Sequence, residues 1–180
     1  MKYSYIFFDN PAITAAEFIE AIGGDANINS LDEEGILPIQ AAISARNNLV
    51  AIGIINTEGF DVEAKNPSGF TALNSASQNS PDTYIMELLL AKGADVDTED
   101  KWEGTPVFWA IQRHVWLFDL DLEDFRKLVS DKISLLLSYH SSVKKWHLET
   151  LQQQAYEHTE IEQWFEQKLE LGGDLVQEVN

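Results

Sequence analysis

The stretch Asn66-Pro67-Ser68-Gly69-Phe70-Thr71-Ala72-Leu73, continued by Leu88-Leu89-Leu90-Ala91-Lys92-Gly93-Ala94-Asp95-Val96, decides the fold. Its parts return at a period of 34 residues. Asp32, Asn66 and Asp100 are so spaced, and so are Leu37-Pro38-Ile39, Thr71-Ala72-Leu73 and Thr105-Pro106-Val107. Ala42, Ala76 and Ala110 keep the same interval, as do Asn27-Ile28-Asn29, Asp61-Val62-Glu63 and Asp95-Val96-Asp97. Matches in several columns over three copies are hard to obtain by chance. A period of this length marks small units that each expose an apolar side and hide it by stacking on a neighbour.

The residues within one period read as two helices. Thr-Pro opens the first: threonine caps free N–H groups, and proline fits the first turn because it has no N–H to lose. The small residues Ala42, Ala76 and Ala110 let neighbouring helices approach closely. Ile85, Leu88 and Leu89 share one face of a second helix at i, i+3, i+4. Gly93 ends that helix by accepting a left-handed conformation, and Gly59 does the same one period earlier.

With these residues in view, the chain resembles the ankyrin-repeat family, whose pattern is roughly D-x-x-G-x-T-P-L-H-x-A, a Leu-rich second helix, then G-A-D-V-N. The resemblance covers most of residues 15–143 and is best in the second unit. The first unit has Leu37 in place of the threonine, and the third has its glycine one residue late, at Gly104. The histidine after T-P-L is replaced by Gln40, Asn74 and Phe108, so its hydrogen bonds are not carried over. The resemblance implies an all-α fold, a solenoid of helix-turn-helix units with hairpin loops between them.

The ends follow from the same reasoning, because the ends of a stack need polar caps. Residues 1–29 form an N-terminal cap, in which 14–22 look like the second helix of a degraded unit. Thr14 and Glu17 make a capping box there. Tyr3, Tyr5, Phe7 and Phe8 are expected to pack over the exposed end. Repeats then occupy 30–63, 64–97 and 98–144. The third is interrupted: Leu135-Leu136-Leu137 follows Leu88-Leu89-Leu90 by 47 residues instead of 34, so about 13 are inserted. The insert falls within about 114–127 and either extends both helices of its unit or forms a long loop. Residues 145–180 are expected to be a divergent C-terminal cap.

Composition narrows the function. Thirty acidic residues face twelve basic ones, a net charge of −18. Such a surface repels nucleic acid and anionic membranes and attracts a basic partner. The plainer reading, that acidity serves solubility, stands beside it. The chain has no cysteine, which excludes disulfides and thiolate metal sites and makes a reducing cytoplasm the simplest location. No apolar run reaches the roughly 18 residues of a membrane span, and Ile6-Phe7-Phe8, broken by Asp9, is too short for a signal peptide.

No catalytic motif is present. His114, His140, His147 and His158 show no zinc spacing, and Asp119, Asp121, Glu123 and Asp124 lack the glycine and closing glutamate of a calcium loop. Neither a catalytic residue, a metal nor a cofactor is expected. Ankyrin-like stacks bind through hairpin tips and the open side of each unit's first helix. The resemblance therefore places a partner on Glu33, Glu34 and Ile36, on Phe70, and on Lys101, Trp102 and Glu103 at the tips. Ser44, Gln78, Asn79, Gln112 and Arg113 take the helix positions, and Trp116, Asp119 and Asp121 lie in the insert. Phe70 and Trp102 are the apolar anchors expected to be exposed, although Trp102 could instead fold back over a neighbouring hairpin. A short, acidic chain of this kind resembles an immunity protein for a toxin. The expected partner is a basic, toxin- or nuclease-like protein, with no nucleic acid or membrane, and the free chain is expected to be a monomer. The alternative is a general ankyrin scaffold, regulator or host-directed effector without special charge complementarity.

Overall fold

The computed structural model describes residues 1–112 and 122–139. Among the described residues the chain is all-α and has no β-strand. Eight α-helices follow one another: α1 (Tyr3–Asp9), α2 (Ala15–Ala21), α3 (Pro38–Ser44), α4 (Asn48–Asn56), α5 (Ala72–Asn79), α6 (Tyr84–Ala91), α7 (Pro106–Ile111) and α8 (Leu122–Ser138). The C-terminal cap expected at 145–180 lies outside the described residues, as do Arg113 and the part of the insert before Leu122.

The short helices are placed in two rows. In one row α1 packs on α3, α3 on α5 and α5 on α7; in the other, α2 packs on α4 and α4 on α6. Within a unit α3 pairs with α4 and α5 with α6. The 34-residue period explains the first row. Ala42, Ala76 and Ala110 sit in α3, α5 and α7 and are fully buried, so the helix axes can approach without a side chain between them. Ile85, Met86 and Leu89 form the buried stripe of α6, and Val50, Ala51, Ile54 and Ile55 that of α4. None of these helices is long enough to be stable alone in water, so packing between units supplies the stability.

Local signals set the boundaries. Thr14 accepts from the Glu17 N–H while the Glu17 carboxylate accepts from the Thr14 N–H at 2.9 Å, which is the capping box expected at α2. Thr71 and Thr105 likewise accept from the N–H groups of Asn74 and Phe108.

Neighbouring units are tied by the side-chain amides of Gln40 and Asn74. Gln40 accepts the Leu37 N–H at 3.2 Å through Oε1 and donates through Nε2 to the Phe70 carbonyl at 2.8 Å. Asn74 repeats this one unit later: its Oδ1 accepts from the Thr71 hydroxyl at 2.9 Å and its Nδ2 donates to the Gly104 carbonyl at 3.3 Å. A planar amide offers one acceptor and two donors, enough to serve its own helix start and the next hairpin together. The same bridge thus recurs between α3 and the second hairpin and between α5 and the third.

Of the segment expected to be inserted, 122–127 lies within the described residues and belongs to α8. α8 has 17 residues against 8 in α6, and it begins well before the position that matches the start of α6. Residues 122–130 of α8 thus precede the part that matches α6, whereas α7 has 6 residues against 8 in α5. In the register that aligns the triple leucines, Leu136 is buried like Leu89, and Ile133 like Met86. Lys132 takes the place that Ile85 holds in α6, and it too is fully buried.

Candidate protein-binding face

Each hairpin before a first helix is built by one acidic or amide side chain. Asp32 Oδ1 accepts the N–H groups of Glu34 and Ile36, both at 2.9 Å. Asn66 Oδ1 accepts those of Ser68 and Phe70 at 2.9 and 3.0 Å, and Asp100 Oδ1 those of Trp102 and Gly104 at 2.8 and 2.9 Å. Such Asx turns fix the loop locally, without help from a partner. This is the physical reason for the Asp32/Asn66/Asp100 column of the repeat.

The tips also lock to one another. The Lys101 N–H donates to the Ser68 carbonyl at 3.0 Å. Gly69 has φ +80°, and a Cβ there would stand 3.1 Å from both the Asp100 Cα and the Lys101 nitrogen. Only glycine admits this closeness and this backbone at once. The first tip approaches the second in the same way, since a Cβ on Gly35 would stand 3.0 Å from the Pro67 Cγ, so the three tips form one continuous edge.

The third tip differs in a telling way. The left-handed position filled by Gly35 and Gly69 is taken by Glu103, at φ 65°. Gly104 follows because a Cβ there would meet the Trp109 ring nitrogen at 2.7 Å and the Asp100 carboxylate at 2.9 Å. The one-residue shift of the glycine thus makes room for the Trp109 indole, whose Nε1–H donates to Asp100 Oδ2 at 2.8 Å. A non-glycine residue in this conformation costs roughly 1–2 kcal/mol and persists where its surroundings determine it. Here the surroundings are the buried Asp100, with three N–H donors on its carboxylate.

The expected contact residues fall into three groups. Trp102 is 60 % exposed, so it does not fold back over a neighbouring hairpin; the Lys101 ammonium lies over its ring, 4.3 Å from the centroid. Glu103, Ser44, Glu33 and Glu34 are also exposed. Glu33 and Glu34 are, however, engaged by the Met1 amino group and by Lys2. Glu34 raises the Lys2 ammonium above its usual value, first through their hydrogen bond and then through its charge. Phe70 departs from its expected exposure. It is half-buried with its ring edge-on to Trp109 at 4.8 Å, because the indole that Gly104 admits also covers Phe70. Ile36 is half-buried against the core, and Gln78, Asn79 and Gln112 are half-buried too. Arg113, Trp116, Asp119 and Asp121 lie outside the described residues.

Sequence reasoning missed Trp109 and the part Asp100 plays. The displaced glycine was the available signal, since a glycine one place late calls for a bulky neighbour at its vacated space.

At the first tip, burial pushes the Asp32 carboxyl up. The N–H groups of Ile36, Tyr3 and Glu34, with the Met1 ammonium nearby, outweigh burial and hold it below its ordinary value. A carboxyl lowered on folding stabilises the protein above the unfolded pKa of about 4 and ceases to do so as pH falls through the lower folded value. Asp32→Asn is therefore expected to lower the melting temperature at pH 7, with the gap to the parent protein closing as pH falls below about 4. A gap unchanged over that range would remove the carboxylate from the explanation.

Among the described residues no helix is long and apolar enough to cross a membrane. No protein-family model matches the chain.

Proposed function

We propose that the chain is an ankyrin-type stack that binds a basic protein through its hairpin edge, most simply as an acidic inhibitor that covers the partner's functional surface. The observation that carries this reading is the third tip. A rigid, partly strained loop holds a large exposed indole next to exposed acid, and strained backbone of this kind gathers at functional sites. An exposed Trp ringed by polar groups is the usual form of an interface anchor. The net charge of −18 supports a basic partner by long-range attraction. Catalysis is no part of the proposal: the described face offers an edge of loops and helix ends, a form suited to gripping a surface.

The pairing of Glu33 and Glu34 with Met1 and Lys2 moves the centre of the face from the first tip to the third. The test is capture from a lysate of the source cells, repeated over a salt series. A basic protein should be retained at low salt and lost steeply as salt rises. Trp102→Ala should weaken retention about tenfold or more. Retention of a neutral protein independent of salt would favour a general scaffold, and recovery of no specific protein at low salt would overturn the proposal.

A further inference from the structure

We infer that Trp102 is a stacking platform for an arginine side chain of the partner, and that Lys101 occupies this platform while the protein is free. The inference rests on the protein-binding reading above and adds the chemistry of the contact. A cation within about 6 Å of an indole centroid is attracted by the ring's negative face. Lys101 meets that condition at 4.3 Å, yet Trp102 keeps 60 % of its surface in solvent. The ring is thus already used as a cation receptor, by a residue adjacent in the chain, with most of its area still open.

Three observations make the receptor a built one. The Trp102 N–H is held by Asp100 at 2.8 Å, and the Lys101 N–H by Ser68 at 3.0 Å, so the two residues are fixed on neighbouring anchors. Glu103, in its left-handed conformation, sets the direction of the chain immediately after the ring. Glu103 is exposed and follows Trp102 directly in the chain, so acid is available at this tip for a guanidinium to pair with. The other two tips carry Glu33-Glu34 and Pro67-Ser68 at the matching positions, so the arrangement belongs to the third tip alone among them.

A guanidinium suits this platform better than an ammonium. It is flat, less strongly hydrated and able to stack and pair with a carboxylate at once. Lysine at 101 serves as a weak place-holder: it shields the indole and yields to arginine at little cost. The overall negative charge favours the exchange, because it draws the incoming cation to the surface before the contact forms.

The experiment titrates the ¹⁵N-labelled protein with an acetylated, amidated hexa-arginine peptide at low salt, following the indole N–H resonances. The Trp102 resonance should move further than that of Trp109. Hexa-lysine should shift it less at equal concentration. Lys101→Met should tighten arginine binding about threefold or more relative to Lys92→Met, which removes the same charge away from the ring. Trp102→Leu should weaken it about three- to tenfold. A Trp102 resonance that moves no more than Trp109, or equal affinities of the Lys101 and Lys92 variants, would overturn the inference. If a basic partner is still captured by the whole protein in that case, the binding reading stands and only the arginine platform falls. If the resonances and variants behave as expected but no basic partner is captured, the platform stands and the binding reading falls.

Discussion

Phe18→Ala is expected to lower the free energy of unfolding by about 3–5 kcal/mol. Phe18 is fully buried, stacks on Phe7 with centroids 4.8 Å apart and receives Tyr3 edge-on at 6.3 Å. These three rings join α1 to α2 and close the first end of the stack. Truncation removes the ring area and leaves a space that a seven-residue helix on one side and a closely packed pair on the other cannot fill. A protein of this size has only some 5–15 kcal/mol of stability in all, so the loss is a large share. Urea denaturation followed by circular dichroism measures it, and amide exchange should show α1 losing protection before α5. A loss under about 1 kcal/mol would mean that the three rings do not hold the end together.

That end of the molecule marks where the sequence stops being readable. Tyr3, Tyr5, Phe7 and Phe8 are the residues expected to cover the stack, and Tyr3 and Phe7 do so. Their conformation is not evident from the sequence. Aromatic residues are mediocre helix formers, and a seven-residue segment has no nucleus of its own. What makes α1 helical is tertiary: Tyr3 and Phe7, one turn apart, both reach Phe18, and α1 stands on α3 as α3 stands on α5. The repeat interior is legible for the opposite reason. Thr71, Ala76, Leu89 and Gly93 each act through a local rule, and the 34-residue spacing repeats those rules in other units.

The binding face is legible as a place and less so as a set of contacts. The residues Asp32, Asn66 and Asp100 mark the tips, and the exposure of Trp102 follows from its position at one. The burial of Phe70 does not follow from its own sequence neighbourhood, because the ring that covers it comes from Trp109 in the next unit. Nor can composition tell which acids are available. Glu33 and Glu34 become neighbours of Met1 and Lys2 only when the chain has folded back on itself. Contacts between residues about 30 to 40 apart in the chain decide both cases, and single-chain patterns do not encode which side chain will win such a space.

Lys132→Ala is expected to destabilise the protein by about 2–4 kcal/mol and to loosen α8 first. The lysine is fully buried in the stripe of Leu128, Val129, Ile133 and Leu136, where its counterpart in α6 is Ile85. Its ammonium donates to the Ser77 carbonyl at 2.9 Å and the Ala76 carbonyl at 3.4 Å, near the C-terminal end of α5. Both carbonyls lie at the negative end of the α5 dipole, and the Ala76 oxygen also accepts the Ser80 N–H, so a cation is well placed there. A buried charge is costly to desolvate, and its charge-assisted hydrogen bonds offset that cost. Alanine would take away both the bonds and the four-carbon stem. Methionine would restore the stem, so Lys132→Met should recover part of the loss, and the remainder measures the net value of the ammonium. These bonds to α5 tie α8 to the preceding helix pair. Amide exchange over α8 should therefore quicken in both variants while α3 and α4 stay protected; equal stability of the alanine variant and the parent would show that α8 is held without this lysine.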